Sequence, residues 1–122
     1  MKDYLGVHIL LELNGCPTER LRLPADSERI LLEAAAAMGA QVVESRFHAF
    51  SPHGVSGVVV IAESHLTVHT WPEHGYAAVD VFSCGQLDLE AGLTVLKDGY
   101  GATETEQRQF HRGRLHKSPE SK

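Results

Sequence analysis

Val55-Ser56-Gly57-Val58-Val59-Val60-Ile61-Ala62-Glu63-Ser64-His65-Leu66-Thr67-Val68-His69-Thr70-Trp71-Pro72 is the stretch whose reading decides the fold. Val55 to Ala62 is rich in β-branched residues and nearly continuous in apolar character, which predicts a central strand buried on both faces. Glu63-Ser64-His65 interrupts the run, Leu66 to Trp71 resumes an extended pattern, and Pro72 closes it. Downstream, Tyr76 to Cys84 alternates, with Ala78, Asp80, Phe82 and Cys84 on one face of a sheet and Ala77, Val79, Val81 and Ser83 on the other. Upstream, Gln41 to Phe50 is extended and Ser51-Pro52-His53-Gly54 reads as a turn.

Beyond these strands the period changes. Ile30, Leu31, Ala34, Ala35 and Met38 recur at helical spacing, so a helix is expected over Glu28 to Met38, with Asp26 or Ser27 capping its start and Gly39 ending it. Leu89, Leu93 and Leu96 predict a second helix from Asp88 to Lys97, stopped by Asp98-Gly99. Tyr4 to Leu13 is a first strand, and Ala102 to His111 an edge strand. Residues 1–112 then form one domain, and 113–122, polar and charged, a mobile tail. The order β-α-β-β-β-β-α-β implies an α+β two-layer sandwich, an antiparallel sheet with both helices on one face. The other face needs a cover, which argues for a dimer in a four-layer αββα arrangement.

Composition narrows the function. The 122 residues carry 11 Lys plus Arg against 16 Asp plus Glu, a net charge of −5, so no basic nucleic-acid footprint is expected. The apolar run Val58 to Ala62 is far shorter than the roughly 18 residues of a membrane span, and the Met-Lys-Asp start lacks a signal peptide's apolar stretch, so a cytoplasmic protein off the membrane is expected. Cys16 and Cys84 have little need to pair there, which leaves a thiol for chemistry.

Hydroxyls, imidazoles and carboxylates crowd the end of the buried strand. A Ser-His pair such as Ser64 and His69 is common by chance. His65, His69 and His74 with Cys84 offer nitrogen and sulfur ligands, but no established metal spacing supports them and no metal is expected. His8, His48, His53, His111 and His116 are scattered and read as ordinary surface or core histidines.

Ser56 through Glu73, followed by Gly75 through Gly85, closely resembles the short bacterial and archaeal form of the S-adenosylmethionine decarboxylase family. The resemblance is nearly gapless from about Phe47 to Gly85 and looser from Tyr4 to Arg112. It implies a proenzyme that cleaves itself at Glu63-Ser64 into a β chain, 1–63, and an α chain, 64–122, that begins with a pyruvoyl group derived from Ser64. Ser64 then supplies the attacking hydroxyl, Ser56 a hydrogen-bond donor to the oxyanion, and His69 the base that removes the Ser64 α-proton. The covalent pyruvoyl cofactor forms a Schiff base with S-adenosyl-L-methionine, and Cys84 returns a proton to the substrate's α-carbon. The product is S-adenosylmethioninamine, the aminopropyl donor for spermidine synthesis. Phe50 matches an aromatic residue that stacks on adenine and faces the sulfonium, and Glu73 a carboxylate that accepts from the ribose hydroxyls. In the family these groups meet the pyruvoyl across a homodimer interface. His53, His74 and Ala49 depart from the family's pattern at the pocket rim.

Three alternatives remain at this level. A pyruvoyl-dependent decarboxylase of another amino acid, such as ornithine or arginine, keeps the processing residues and changes the rim. A non-catalytic partner that never processes is argued against by retention of Ser56, Ser64, His69 and Cys84 together. A metal-binding protein is the third.

Overall fold

The computed structural model describes residues 3–115. Its elements in chain order are β1 (Tyr4–Asn14), α1 (Pro24–Met38), β2 (Gln41–Ala49), β3 (Val55–Ala62), β4 (Ser64–Trp71), β5 (Tyr76–Ser83), α2 (Leu89–Tyr100) and β6 (Glu104–Arg114). The strands form one six-stranded sheet in the order β2-β3-β4-β5-β1-β6, with every neighbouring pair antiparallel. Both helices cover one face, as the sequence predicts. No helix among the described residues is long and apolar enough to cross a membrane.

Alternation sorts each strand into two sets. Ile9, Leu11 and Leu13 of β1, Leu66 and Val68 of β4 and Val79 and Val81 of β5 are buried with Ile30, Leu31 and Ala34 of α1 and Leu93 and Leu96 of α2 in one core. Each such aliphatic side chain contributes about 1.5–3 kcal/mol of transfer free energy, so the layer is fixed by where these residues fall. Where the two helices meet, a Cβ on Gly92 would lie 2.3 Å from Met38 Cγ, so only glycine allows that approach.

Strand β3 departs from the expected burial on both faces. Val55, Val59 and Ile61 are buried against the helices, but Val60 is 38% exposed and Ala62 is exposed, so within one chain the strand is covered on one face only. The opposite, open face carries Ser56 and Val58 of β3, Thr67 and His69 of β4, Asp80 and Phe82 of β5, and His8 of β1, because directly paired residues share a face.

Three boundaries also move. The first helix starts at Pro24, four residues before the expected Glu28: extended Leu23 precedes it, and Pro24 takes the first position, where its missing N–H costs nothing. Asp26 and Ser27 are therefore inside the helix and do not cap it; Asp26 pairs with Arg29 at 3.8 Å and Ser27 Oγ accepts from the buried Tyr100 hydroxyl at 2.7 Å. The second helix does not stop at Asp98-Gly99 but runs to Tyr100, with Gly101 at φ 66° as its cap; Asp88 accepts from the Ala91 N–H at 3.2 Å. Strand β6 continues through Gly113 and Arg114, so the expected tail cannot start at 113. Its remainder, 116–122, lies outside the described residues.

Candidate active site

The residues singled out by sequence gather into two groups on different parts of the sheet. The first group lies where β3 and β4 meet the end of β2. Ser56 and His69 are directly opposite in the β3–β4 register, and Ser56 Oγ is 2.7 Å from His69 Nδ1. Phe50, 52% exposed just past β2, and Glu73, in the short 3-10 turn Pro72–His74, line a cavity of about 210 Å³ together with Ser56, His69, His53 and Trp71. A second cavity of about 470 Å³ continues on the other side of Ser56 and His69, toward Arg46, His48 and Val58. An aromatic ring, a carboxylate and an imidazole hydrogen-bonded to a hydroxyl thus share one concave surface.

The second group lies at the β3–β4 turn. Ser64 Oγ is 3.2 Å from Cys84 Sγ. The Cys84 backbone N–H donates to the Glu63 carbonyl oxygen at 3.4 Å. Ser64 has φ 131°, a conformation that a residue with a side chain adopts at a cost of about 1–3 kcal/mol. This carbonyl is the one a Ser64 hydroxyl would attack, and a donor already points at the oxygen on which negative charge would develop. Cys84 is exposed and Cys16 buried, and neither is in a disulfide. Burial pushes the Cys16 thiol up to about 11, against a smaller downward pull from Arg20, which makes it a poor nucleophile.

Five residues of strand separate Ser64 from His69, about 16 Å at roughly 3.3 Å per residue. Within one chain, therefore, His69 does not reach the Ser64 α-proton and Ser56 does not reach the Glu63 carbonyl. The sequence brings all four into one list; the register parts them into two pairs.

The histidines and thiol weighed as metal ligands do not converge either: His69 bonds Ser56, Cys84 faces Ser64, and His74 sits in the Pro72–His74 turn. His65 joins two residues that sequence reasoning passed over, His8 and Asp80, whose ligand atoms lie within 4.8 Å of one another. Asp80 Oδ2 is 2.5 Å from His8 Nε2 and 3.4 Å from His65 Nε2, and the Thr67 hydroxyl donates to Oδ1. Arg112 Nη1 lies 3.0 Å from His8 Nδ1. A guanidinium only donates, so Nδ1 accepts and Nε2 carries the proton it gives to Asp80. A metal needs the reverse, a free Nε2 lone pair with Nδ1–H donating outward, so the wiring favours a hydrogen-bond network over a metal centre. Burial alone would raise the Asp80 carboxyl, but the hydrogen bonds from Thr67, His8 and His65, with the His65 charge, together outweigh it and hold the group below its ordinary value.

Residues 7–113 match the family model described as S-adenosylmethionine decarboxylase. The chain belongs to this family. Among curated relatives, the S-adenosylmethionine decarboxylase proenzyme of Geobacillus sp. (strain WCH70) is 45% identical over 111 residues, covering 91% of this chain and 90% of the relative. The proenzyme of the same name from Caldicellulosiruptor saccharolyticus is 62% identical over 82 residues, covering 67% of this chain and 66% of the relative. The crystal structure of the adenosylmethionine decarboxylase from Aquifex aeolicus VF5 superposes with a TM-score of 0.86 at 31% identity, covering 95% of this chain and 97% of that one. The family membership agrees with the resemblance drawn from Ser56 to Gly85, and the superposition with the expected two-layer architecture.

Proposed function

We propose that this chain is made as a precursor, cleaves itself between Glu63 and Ser64, and then decarboxylates S-adenosyl-L-methionine, with each active site assembled from two copies of the chain. The observation that carries the first part is the Glu63-Ser64 junction, where the Cys84 N–H already donates to the carbonyl oxygen and the serine hydroxyl lies beside it on the Cys84 side. The family's membership and the proenzyme names of its relatives support the same reading.

Cleavage follows from the residues in order. Ser64 Oγ bonds to the Glu63 carbonyl carbon, and the charge that builds on the oxygen is stabilised by the Cys84 N–H. Collapse of that adduct breaks the peptide C–N bond and leaves an ester. An imidazole then removes the Ser64 α-proton, and the Glu63 carboxylate departs with the electron pair of its C–O bond. The dehydroalanine left at residue 64 tautomerises to an imine, water adds at its α-carbon, ammonia leaves, and the new amino-terminal residue is a pyruvoyl group. This turn would hold that group beside the Cys84 thiol, which lies 3.2 Å from the Ser64 hydroxyl in the precursor. Once formed it acts as an electron sink for loss of carbon dioxide.

The imidazole for the elimination has to come from elsewhere, since His69 of the same chain is about 16 Å away. A second copy, its open face packed on the open face of the first, supplies Ser56 and His69 from its own strands. The same packing covers Val58 and Val60, the apolar residues left outside the single-chain core. In the joint site Phe50 offers its ring face to a sulfonium, worth about 0.5–2 kcal/mol, Glu73 accepts hydrogen bonds from ribose hydroxyls, and the Cys84 thiol gives its proton to the substrate α-carbon. His69 Nδ1–H donates to Ser56 Oγ on this reading, which orients the ring and leaves Nε2 free to take a proton. The protein acts as a homodimer in the cytoplasm on this reading.

Incubating the purified chain and measuring its intact mass tests the proposal. Two fragments, 1–63 and 64–122, with the larger-numbered one blocked at its amino terminus, are expected. A chain that stays whole while releasing carbon dioxide from S-adenosylmethionine would overturn it. Carbon dioxide release compared across S-adenosylmethionine, ornithine and arginine checks the substrate.

A further inference from the structure

Between the two groups of site residues lies the polar cluster of His8, His65, Thr67 and Asp80, which no step above uses. We infer that Asp80 is a positioning residue for self-cleavage, holding the start of β4 through His65 while His8, backed by Arg112, holds Asp80 itself. This inference rests on the self-cleavage reading.

The cluster draws on four strands. Asp80 is in the middle of β5, His65 and Thr67 are on β4, His8 is on β1 and Arg112 on β6. Thr67 is directly opposite Asp80, and its hydroxyl donates to Oδ1. Both imidazoles meet Oδ2, His8 at 2.5 Å and His65 at 3.4 Å. Arg112 is hydrogen-bonded to His8 at 3.0 Å, and its guanidinium lies 5.5 Å over the Phe82 ring, so His8 is fixed from behind. The His65 ring is packed against Phe82 and edge-on to His8, with centroids 5.8 and 6.0 Å apart.

His65 is the residue that follows Ser64. The scissile junction is therefore held on both sides, by the Cys84 N–H on the Glu63 carbonyl before it and by Asp80 on His65 after it. Between these two clamps Ser64 keeps φ 131°, which an unheld serine would leave. Attack on the carbonyl carbon needs the hydroxyl oxygen within about 3–3.5 Å and aligned, a geometry that a loosened β4 start samples rarely. None of the cluster's hydrogen bonds goes to Ser64, Glu63 or Cys84, so its effect is exerted through His65.

The test compares His65→Leu, His65→Gln and Asp80→Asn with the parent chain. Two quantities are read: the rate of self-cleavage of freshly purified precursor, and decarboxylation per cleaved chain. His65→Leu, which removes the donor to Asp80, is expected to slow cleavage by about 10- to 100-fold. His65→Gln, which keeps a donor of similar reach, is expected to cleave close to the parent rate, and Asp80→Asn to behave like His65→Leu. Turnover per cleaved chain should stay at the parent level in all three. Parent-like cleavage in His65→Leu and Asp80→Asn overturns the inference and leaves the self-cleavage reading standing. Equal loss of cleavage and turnover, with no rescue by His65→Gln, also overturns it, because that is the mark of a merely structural role. A parent chain that never cleaves brings down both.

Discussion

The two ends of β4 offer different chemistry. At its start, Ser64, the Glu63 carbonyl and Cys84 bring together a hydroxyl, a carbonyl with a donor on its oxygen, and a thiol, the groups the proposed cleavage uses. Toward its end, His69 with Ser56, Phe50 and Glu73 lines a cavity of about 210 Å³, the groups to which the proposal gives binding and proton transfer. Each half lacks what the other has, and about 16 Å of strand keeps them apart. A short chain can carry a complete set of catalytic groups without carrying a complete site, because a strand places residues by its rise and not by their chemistry.

The largest expected effect breaks the first half outright. Ser64→Ala removes the attacking oxygen, so cleavage and decarboxylation should both fall to the limit of detection, read as a single intact mass and no carbon dioxide. Changing Cys84→Ala sharpens the contrast inside that half. The backbone N–H remains, so cleavage should proceed, while loss of the thiol proton donor should lower turnover per cleaved chain by about 10²–10⁴-fold. Normal turnover in that variant would remove the thiol from the mechanism.

Between the halves, the Asp80 network ties pH to stability. Its carboxyl is held below the ordinary value, so its contribution is fully present above about pH 4 and is lost as pH falls through the lowered value. Thermal unfolding followed from pH 6 downward, over a range set by about pH 4 and below, should show a steeper loss in the parent than in Asp80→Asn. The smallest effect belongs to the helical layer, remote from both halves. Tyr100→Phe removes the buried hydrogen bond to Ser27 and should cost about 1–2 kcal/mol in denaturant unfolding with cleavage unchanged.

Much of this was legible in the sequence, for local reasons. Alternation over Tyr76 to Cys84 and helical spacing over Ile30 to Met38 are properties of neighbouring residues, and a strand over Tyr76–Ser83 and a helix ending at Met38 both form. Cap chemistry misled at Gly99, which packs against Ile30 inside α2 with no positive φ, and at Asp26 and Ser27, which lie inside a helix that starts at Pro24. The apolar run of β3 predicts cover on both faces, and the structure of one chain covers only one of them. His8 was missed because its role depends on β1 lying beside β5, a pairing of residues 72 apart in sequence that no local pattern announces. The separation of Ser64 from His69 was in plain view: five residues of strand cannot bring their ends together, whatever family pattern groups them.

Complementation between two inactive chains tests the central claim most directly. Ser64→Ala keeps His69 but has nothing to cleave, and His69→Ala keeps Ser64 but lacks the base. Refolded together and followed by mass spectrometry, the His69→Ala chain should be cut and gain a blocked fragment 64–122, because its Ser64 meets an imidazole from the other copy. If the mixture stays as uncut as each variant alone while the parent, refolded in the same way, cleaves, the site is not shared between copies and this account is wrong.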